Sequence, residues 1–551
     1  MRAELYNLRG EADRSEEALK LALVYDPDSY VLNLALGRAA WKNESALHVE
    51  RLVDHALHVE PRRAAPWRLR GQMDAAAGKT LAAQQALTRA LALEPTTTEG
   101  AAAAMDLAVL CAERCPDAAL AALRGPALKS TGVAQAWAWL LERGGQLDQA
   151  VEAQEKAYAL EPRDPEPWAR TLERAGLVAR AAKARELTVL ARPEDPETLE
   201  RAVEAEAAAG ALGPAIAYLG ALAGRGDEGQ TLRAAEALSR MGYDAEAARA
   251  LRTLRSGGSD AAMLQAELAE HAGDLDRALS LLRDLSLPAA GRRRLELSLR
   301  AHGPEAAQAV AEDLLKRSTP GVLAATGVLA ARLLDPERVL RRLDAAGEGL
   351  EAGLAMDLLR AAVNIEVERG QAASADQRLA RARTAYPRAA STIATIEAGA
   401  RITQGSLVRA ERLLEGVVAS DDPDPDATAA LARLRAARGG RLLEVDRILL
   451  RALADHPDHP GLVAARGRVL VLLGRGDLGL RLLRRAALLD PDDGATWEHL
   501  ADARERAGLS KDATEAWIRA RTHYETEVAL RDPQAPARVD RVNRRLGRSR
   551  P

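Results

Sequence analysis

Glycine-rich loops, a thiol pair and scattered histidines are the residues of this 551-residue chain whose types could do chemistry. Gly224-Gly226-Gly229 and Gly474-Gly476-Gly479 both satisfy G-x-G-x-x-G, the loop that brings backbone N–H groups to a dinucleotide pyrophosphate. That chemistry needs a strand before the loop and a helix after it. Helical patterns flank both sites here, so they read as turns. AAAGKT at 75–80 imitates the end of a phosphate-binding loop, but Met73 stands where the first glycine belongs. The RGD strings at 225 and 475 fall in comparable turns and read as solvated loops.

Cys111 and Cys115 are the only cysteines, four apart in LAVLCAERCP. A metal would need two more ligands, and none lies nearby. One pair cannot staple a chain of this length. We read the two as packing or surface residues, because free Cys behaves as a small hydrophobe. His456 and His459 flank a proline in DHPDHP, while His48, His55 and His58 run along one segment. No cluster offers third and fourth ligands at metal-like spacing. No Ser-His-Asp grouping can be singled out, and the abundant carboxylates suit solvated helix faces. The chain reads as non-catalytic, with no cofactor and no metal.

Composition narrows the elements that could position a binding site. Hydrophobic residues are 47% and charged residues 28%, which excludes a disordered chain. Aromatics are 3%, with 7 Trp, 8 Tyr and no Phe, so Ala, Leu and Val carry the apolar mass. Such a composition suits closely packed helices better than a wide β core. Net charge is −3, from 77 basic and 80 acidic side chains, so no global field favours nucleic acid or an anionic membrane. No apolar stretch reaches the roughly 18–20 residues that span a bilayer. Residues 1–20 are amphipathic and charged, without the apolar core of a signal peptide. The expected location is cytoplasmic for the chain as written.

Self-similarity is the strongest signal. VYDP, HVEP and ALEP end at Pro27, Pro61 and Pro95, which are 34 apart, and YALEP ends at Pro162, 67 residues on. Pro423, Pro457 and Pro491 repeat the interval of 34. Each helix must end before such a proline, whose ring disfavours helical geometry in the preceding residue. Gly78, Gly145, Gly210, Gly242, Gly273, Gly370, Gly405, Gly440, Gly474 and Gly508 each sit between two helical patterns, where glycine ends a helix in the left-handed conformation. Five residues later the second helix carries a small residue, as at Ala83, Ala150 and Ala513. Small residues let two backbones approach closely.

This pattern resembles the tetratricopeptide repeat (TPR), a helix–turn–helix unit of 34 residues. Trp67, Gly71, Gly78, Ala83, Leu87, Ala90 and Pro95 fall on the family's positions, as do Trp497, Leu500, Ala501, Gly508, Ala513, Trp517 and Ala520. The resemblance implies an all-α solenoid of about sixteen antiparallel hairpins in a right-handed superhelix. The organisation expected is an N-terminal TPR block over 1–165, degenerate TPR-like hairpins over 166–348, a C-terminal TPR block over 349–525 and a basic flexible tail over 526–551. In the middle the interval shrinks to 32 and 31 residues between Gly210, Gly242 and Gly273, and the terminal proline is lost. Aligning Pro27 with the later units makes Met1 the sixth position of its helix. Either the array begins raggedly, or Met1 is internal to a longer protein whose upstream part could carry an export signal, placing it in the periplasm or at the outer membrane.

By resemblance to the family, positions 2, 5, 9, 12 and 13 of each unit face a concave groove. These are Leu34, Arg38, Trp41 and Lys42 in the second unit, Arg68 and Gln72 in the third, and Gln135, Trp139 and Arg143 in the fifth. The implied groove is basic with two aromatic platforms and suits an acidic or extended peptide. Arg and Trp are also enriched at binding hot spots. The alternative for Trp41 and Trp139 is packing between neighbouring units. Some TPR domains clamp a C-terminal carboxylate with Lys and Asn, but Glu4, Arg38 and Gln72 hold the ninth positions here, so a chaperone-tail adaptor is not expected. The last units read differently, with Leu434, Arg438 and Arg468 followed by Glu498, Asp502 and Glu505. The expected function is a protein-interaction scaffold binding partner proteins or extended segments. The alternatives are an envelope factor for polysaccharide export or pilus biogenesis, as long bacterial members of the family often are, and a regulatory or nucleic-acid-binding subunit using the basic tail. The Ala/Leu/Arg-rich composition fits a bacterial source.

Overall fold

The computed structural model describes residues 6, 12–42, 46–112, 114–225, 227–254, 258–347, 349–420, 423–529 and 531–548. Among them are thirty-two α-helices, two single 3-10 turns and no strand. The chain is an all-α solenoid of TPR-like hairpins, divided into two compact units, Met1–Ala175 and Gly176–Pro551.

The first unit opens with the helix Ala12–Tyr25 and closes with Glu166–Arg174. Between them lie four hairpins: Tyr30–Lys42 with Ala46–Val59, Ala64–Ala76 with Thr80–Leu93, Thr98–Cys111 with Pro116–Arg124, and Thr131–Arg143 with Leu147–Leu160. The second of these shows why the sequence folds this way. Gly78 takes φ +73°, and the turn is closed by Gly78 N–H to the Ala75 carbonyl at 3.0 Å and Lys79 N–H to the Asp74 carbonyl at 2.8 Å. This satisfies carbonyls that a helix end leaves unpaired. Midway along the first helix, a Cβ on Gly71 would stand 2.6 Å from Leu87 Cγ, so glycine sets the approach of the two helices. Ala83, Leu87, Ala90 and Leu91 are buried between them. Each of the leucines contributes about 1.5–3 kcal/mol relative to exposure.

The second unit starts with the helix Val178–Ala191 and continues through ten hairpins to Gly494–Arg506 with Ser510–Ala529. Within its degenerate stretch the second helices shorten. Asp244–Leu251 and Leu275–Leu282 have 8 residues, against 14 in Thr80–Leu93, which accounts for the shrunken interval and the missing proline. The second unit also returns on itself. Arg531 Nη1 donates to the Arg332 carbonyl at 3.2 Å, and the Arg332 guanidinium lies 2.6 Å from Glu368 and 3.6 Å from Asp532.

Three expectations change. The turn of the hairpin Pro425–Arg438 with Leu442–Asp455 is left-handed at Gly439 (φ +70°) and Arg441 (φ +52°), not at Gly440. With two glycines in sequence, the Gly440 N–H reaches the Arg435 carbonyl at 3.3 Å and closes the cap one residue early. Cys111 and Cys115 are not separate thiols but a disulfide. The helix ends at Cys111, and Cys115 precedes the helix Pro116–Arg124, so the bend brings their Cα atoms to 4.5 Å, within bridging range. Finally, residues 535–548 of the tail form a helix whose Val542 is fully buried against the last hairpin, beside Val539 and Leu546. The apolar residues at 539, 542 and 546 share one helical face, and that face is hidden by the arginines when composition alone is read.

Candidate partner-binding groove

Three first helices of the first unit bring one polar row together. Arg38 of Tyr30–Lys42, Arg68 and Gln72 of Ala64–Ala76, and Glu99 and Asp106 of Thr98–Cys111 form it. Arg38 Nη2 donates to Glu99 Oε1 at 2.7 Å, and Arg68 Nη1 lies 3.3 Å from Glu99 Oε2. Arg68 Nε donates to Asp106 Oδ2 at 2.7 Å, and Gln72 Nε2 donates to the same oxygen at 2.8 Å. Glu99 lies in the first turn of its helix, where Thr97 caps Gly100 N–H at 3.2 Å and the helix end favours a negative charge. Burial alone would raise the Glu99 carboxyl, but the hydrogen bonds and charges of Arg38 and Arg68 outweigh it and hold the group below the usual carboxylate range. Arg68 is half-buried, which opposes its charge, yet Asp106 and Glu99 together raise it above its ordinary value.

The groove is therefore not simply basic. Glu99 and Asp106 were missed because their hairpin lacks the terminal proline and the turn glycine. Extending the 34-residue frame from the preceding unit would have put them at positions 2 and 9. The other expected residues separate into distinct places. Leu34 is 7% exposed and sits in a core with Val49, Val53 and Leu69, so it is a packing residue and not part of the groove. Its helix turns that side toward Ala46–Val59 because the apolar neighbours there exclude water. Trp41 is half-buried on the same cluster. Lys42 ends its helix, and its side chain lies outside the described residues, as does Glu4. Trp139 is half-buried against the core that includes Leu107 and Leu140, with the Arg143 guanidinium 4.9 Å over its ring. Gln135 lies at the far end of that helix, in a separate cleft with Gln154 and Trp168.

At the C-terminal end the acidic row predicted from spacing is engaged. Glu498 accepts from Arg541 Nε at 2.6 Å and from Tyr524 Oη at 2.8 Å, while Arg545 lies 3.7 Å from Asp502 and 3.6 Å from Glu505. Leu434 is buried, and Arg438 pairs with Glu411 at 2.6 Å. Among the described residues no group of three or more His, Cys, Asp or Glu side chains could hold a metal ion, and no helix is long and apolar enough to cross a membrane.

No protein-family model matches this chain, and no curated protein matches it. Solved structures do. One is the APC/C hetero-tetramer Cut9–Hcn1, at 13% identity and a TM-score of 0.29, covering 87% of this chain and 96% of that one. Another is Naa15/Naa10 bound to HypK-THB, at 14% identity and a TM-score of 0.27, covering 98% of this chain and 95% of that one.

Proposed function

We propose that this chain is a non-catalytic scaffold that holds partner proteins, and that the first unit takes an acidic or extended segment along its row of first helices. The observation that carries the reading is the row Arg38–Glu99–Arg68–Asp106–Gln72, which spans three hairpins on one side. A solenoid repeats such positions along an extended face. The arginines are held in place by carboxylates, so an acidic ligand would exchange with Glu99 and Asp106 for donors that are already positioned, and little side-chain entropy remains to be lost. Trp139 adds rigid apolar area beside Arg143.

Affinity capture from the native organism with mass spectrometry supplies the partner. Titration then compares the chain with its Arg38→Ala, Arg68→Ala and Trp139→Ala variants, with folding checked by circular dichroism. Each should weaken binding at least about fivefold, a loss of about 1 kcal/mol. Unchanged affinity in all three overturns the reading of this groove.

A second reading is favoured by one observation. The Cys111–Cys115 disulfide suits an oxidising compartment, as an envelope factor for polysaccharide export or pilus biogenesis would require. Thiol labelling of freshly lysed native cells tests it, since two free thiols would remove the support. Nucleic-acid binding through the tail gains nothing from the structure, because Arg541 and Arg545 face Glu498, Asp502 and Glu505.

A further inference from the structure

Tryptophan recurs in this chain six residues after an inter-repeat proline. Trp67 donates its indole N–H to the Pro61 carbonyl at 2.9 Å, and Trp497 donates to the Pro491 carbonyl at 2.7 Å. Trp168 stands in the same relation to Pro162 in sequence, yet its Nε1 is buried and bonded to no protein acceptor. Its ring stacks instead on Tyr158, with centroids 5.4 Å apart and planes at 20°. A buried donor left unpaired opposes folding, and natural proteins keep few of them.

The surroundings of Trp168 are polar and unspent. A cleft of about 350 Å³ is lined by Thr131, Gln135, Gln154, Tyr158 and Trp168, among others. Neither the Gln135 nor the Gln154 carboxamide hydrogen-bonds to another described side chain or backbone group, although Gln154 is 7% exposed. The cation at this cleft, Arg163, is 3.2 Å from Glu161, and Asp164 adds a second carboxylate, so an anion is not favoured. Each carboxamide offers donors and an acceptor together. Such a set matches the alternating C=O and N–H groups of a polypeptide backbone.

We propose that this cleft binds the backbone of an extended polypeptide segment, with Gln135 and Gln154 bracketing a peptide group and the Trp168 indole N–H supplying a donor to a ligand carbonyl. The proposal rests on the reading of the first unit as a segment-binding scaffold, and it adds a site that ignores side-chain charge. It also explains why Gln135, apart from the Arg38–Arg68 row, stands where the repeat geometry faces a ligand.

The test uses the full chain and a capped tetra-alanine peptide as probe, followed by the indole N–H resonances in 15N NMR. Trp168→Phe identifies its signal by loss. The Trp168 resonance should move saturably with the peptide while those of Trp67 and Trp497 stay still. Gln135→Leu should weaken that response at least about fivefold. Arg68→Ala should leave it unchanged, which separates this site from the charged row: failure of the row variants to affect a native partner would overturn the scaffold reading without touching this titration. No saturable shift overturns the proposal. So does a larger response to glucose or to acetate than to the peptide, because the cleft would then select a sugar or an anion.

Discussion

The indole N–H of Trp67 meets the backbone carbonyl of Pro61 at 2.9 Å, tying the start of one hairpin to the end of the hairpin before it. Trp497 repeats the bond with Pro491. Trp67→Phe and Trp497→Phe keep the ring but leave a carbonyl without its donor, and each should cost about 1 kcal/mol. Trp168→Phe deletes a donor that has no protein acceptor and should cost less than either. Urea unfolding followed by hydrogen exchange at the three hairpins checks the order. Equal losses would show that the bond contributes nothing.

Close helix contact makes the small residues intolerant of added bulk. Ala150 is fully buried, and Ala150→Leu should cost roughly 1–3 kcal/mol by overpacking. Gly479 is tighter still, since a Cβ there would lie 2.7 Å from the Gly467 carbonyl oxygen and 2.9 Å from Val471 N, both backbone atoms that cannot swing away. Gly476→Ala, three residues earlier with open space around it, should be neutral or slightly stabilising. Contacts in a repeat array are between neighbours, so the damage from Ala150→Leu and Gly479→Ala should stay local in hydrogen exchange. Unaltered protection around both sites would contradict the packing.

Acid should loosen the row of the first unit. The Glu99 carboxyl is held below its ordinary 4.5, so the folded state keeps its proton off more strongly than the unfolded chain does. Its contribution is present in full above 4.5 and fades as pH falls through the lowered folded value. At neutral pH Glu99→Gln should therefore cost up to about 1 kcal/mol, and the difference from wild type should shrink near about pH 3. Hydrogen exchange of the helix Thr98–Cys111 at both pH values measures it. A difference that persists in acid would mean that Glu99 acts by packing alone.

His499 gives an opposite kind of titration. Burial, reinforced by the nearby Arg468 charge, pushes its imidazole down to about 4. Between about 6.5 and about 4 the unfolded chain takes up a proton that the folded chain refuses, so the last hairpin loses stability as pH falls. The imidazole ring resonances should titrate with a midpoint near 4 in the folded protein. A midpoint near 6.5 would show the ring to be solvated.

What the sequence by itself determined was the local rule. The 34-residue spacing of Pro27, Pro61 and Pro95, with Gly78 or Gly508 between helical patterns, prescribes helix ends, because proline and left-handed glycine act within a few residues. Ala83, Ala150 and Ala513 were legible as packing residues for the same reason. Only the tertiary structure decided the charge of the groove, since Glu99 and Asp106 belong to a hairpin without the marker residues and meet Arg38 and Arg68 across 31 to 61 positions of chain. It also decided that Leu34 is core, that Cys111 and Cys115 meet across a bend, and that the basic tail carries a helix against Glu498. Those outcomes depend on which side chains lie opposite one another once helices pack, and repeat spacing carries the register of each helix but not the identity of its distant neighbour.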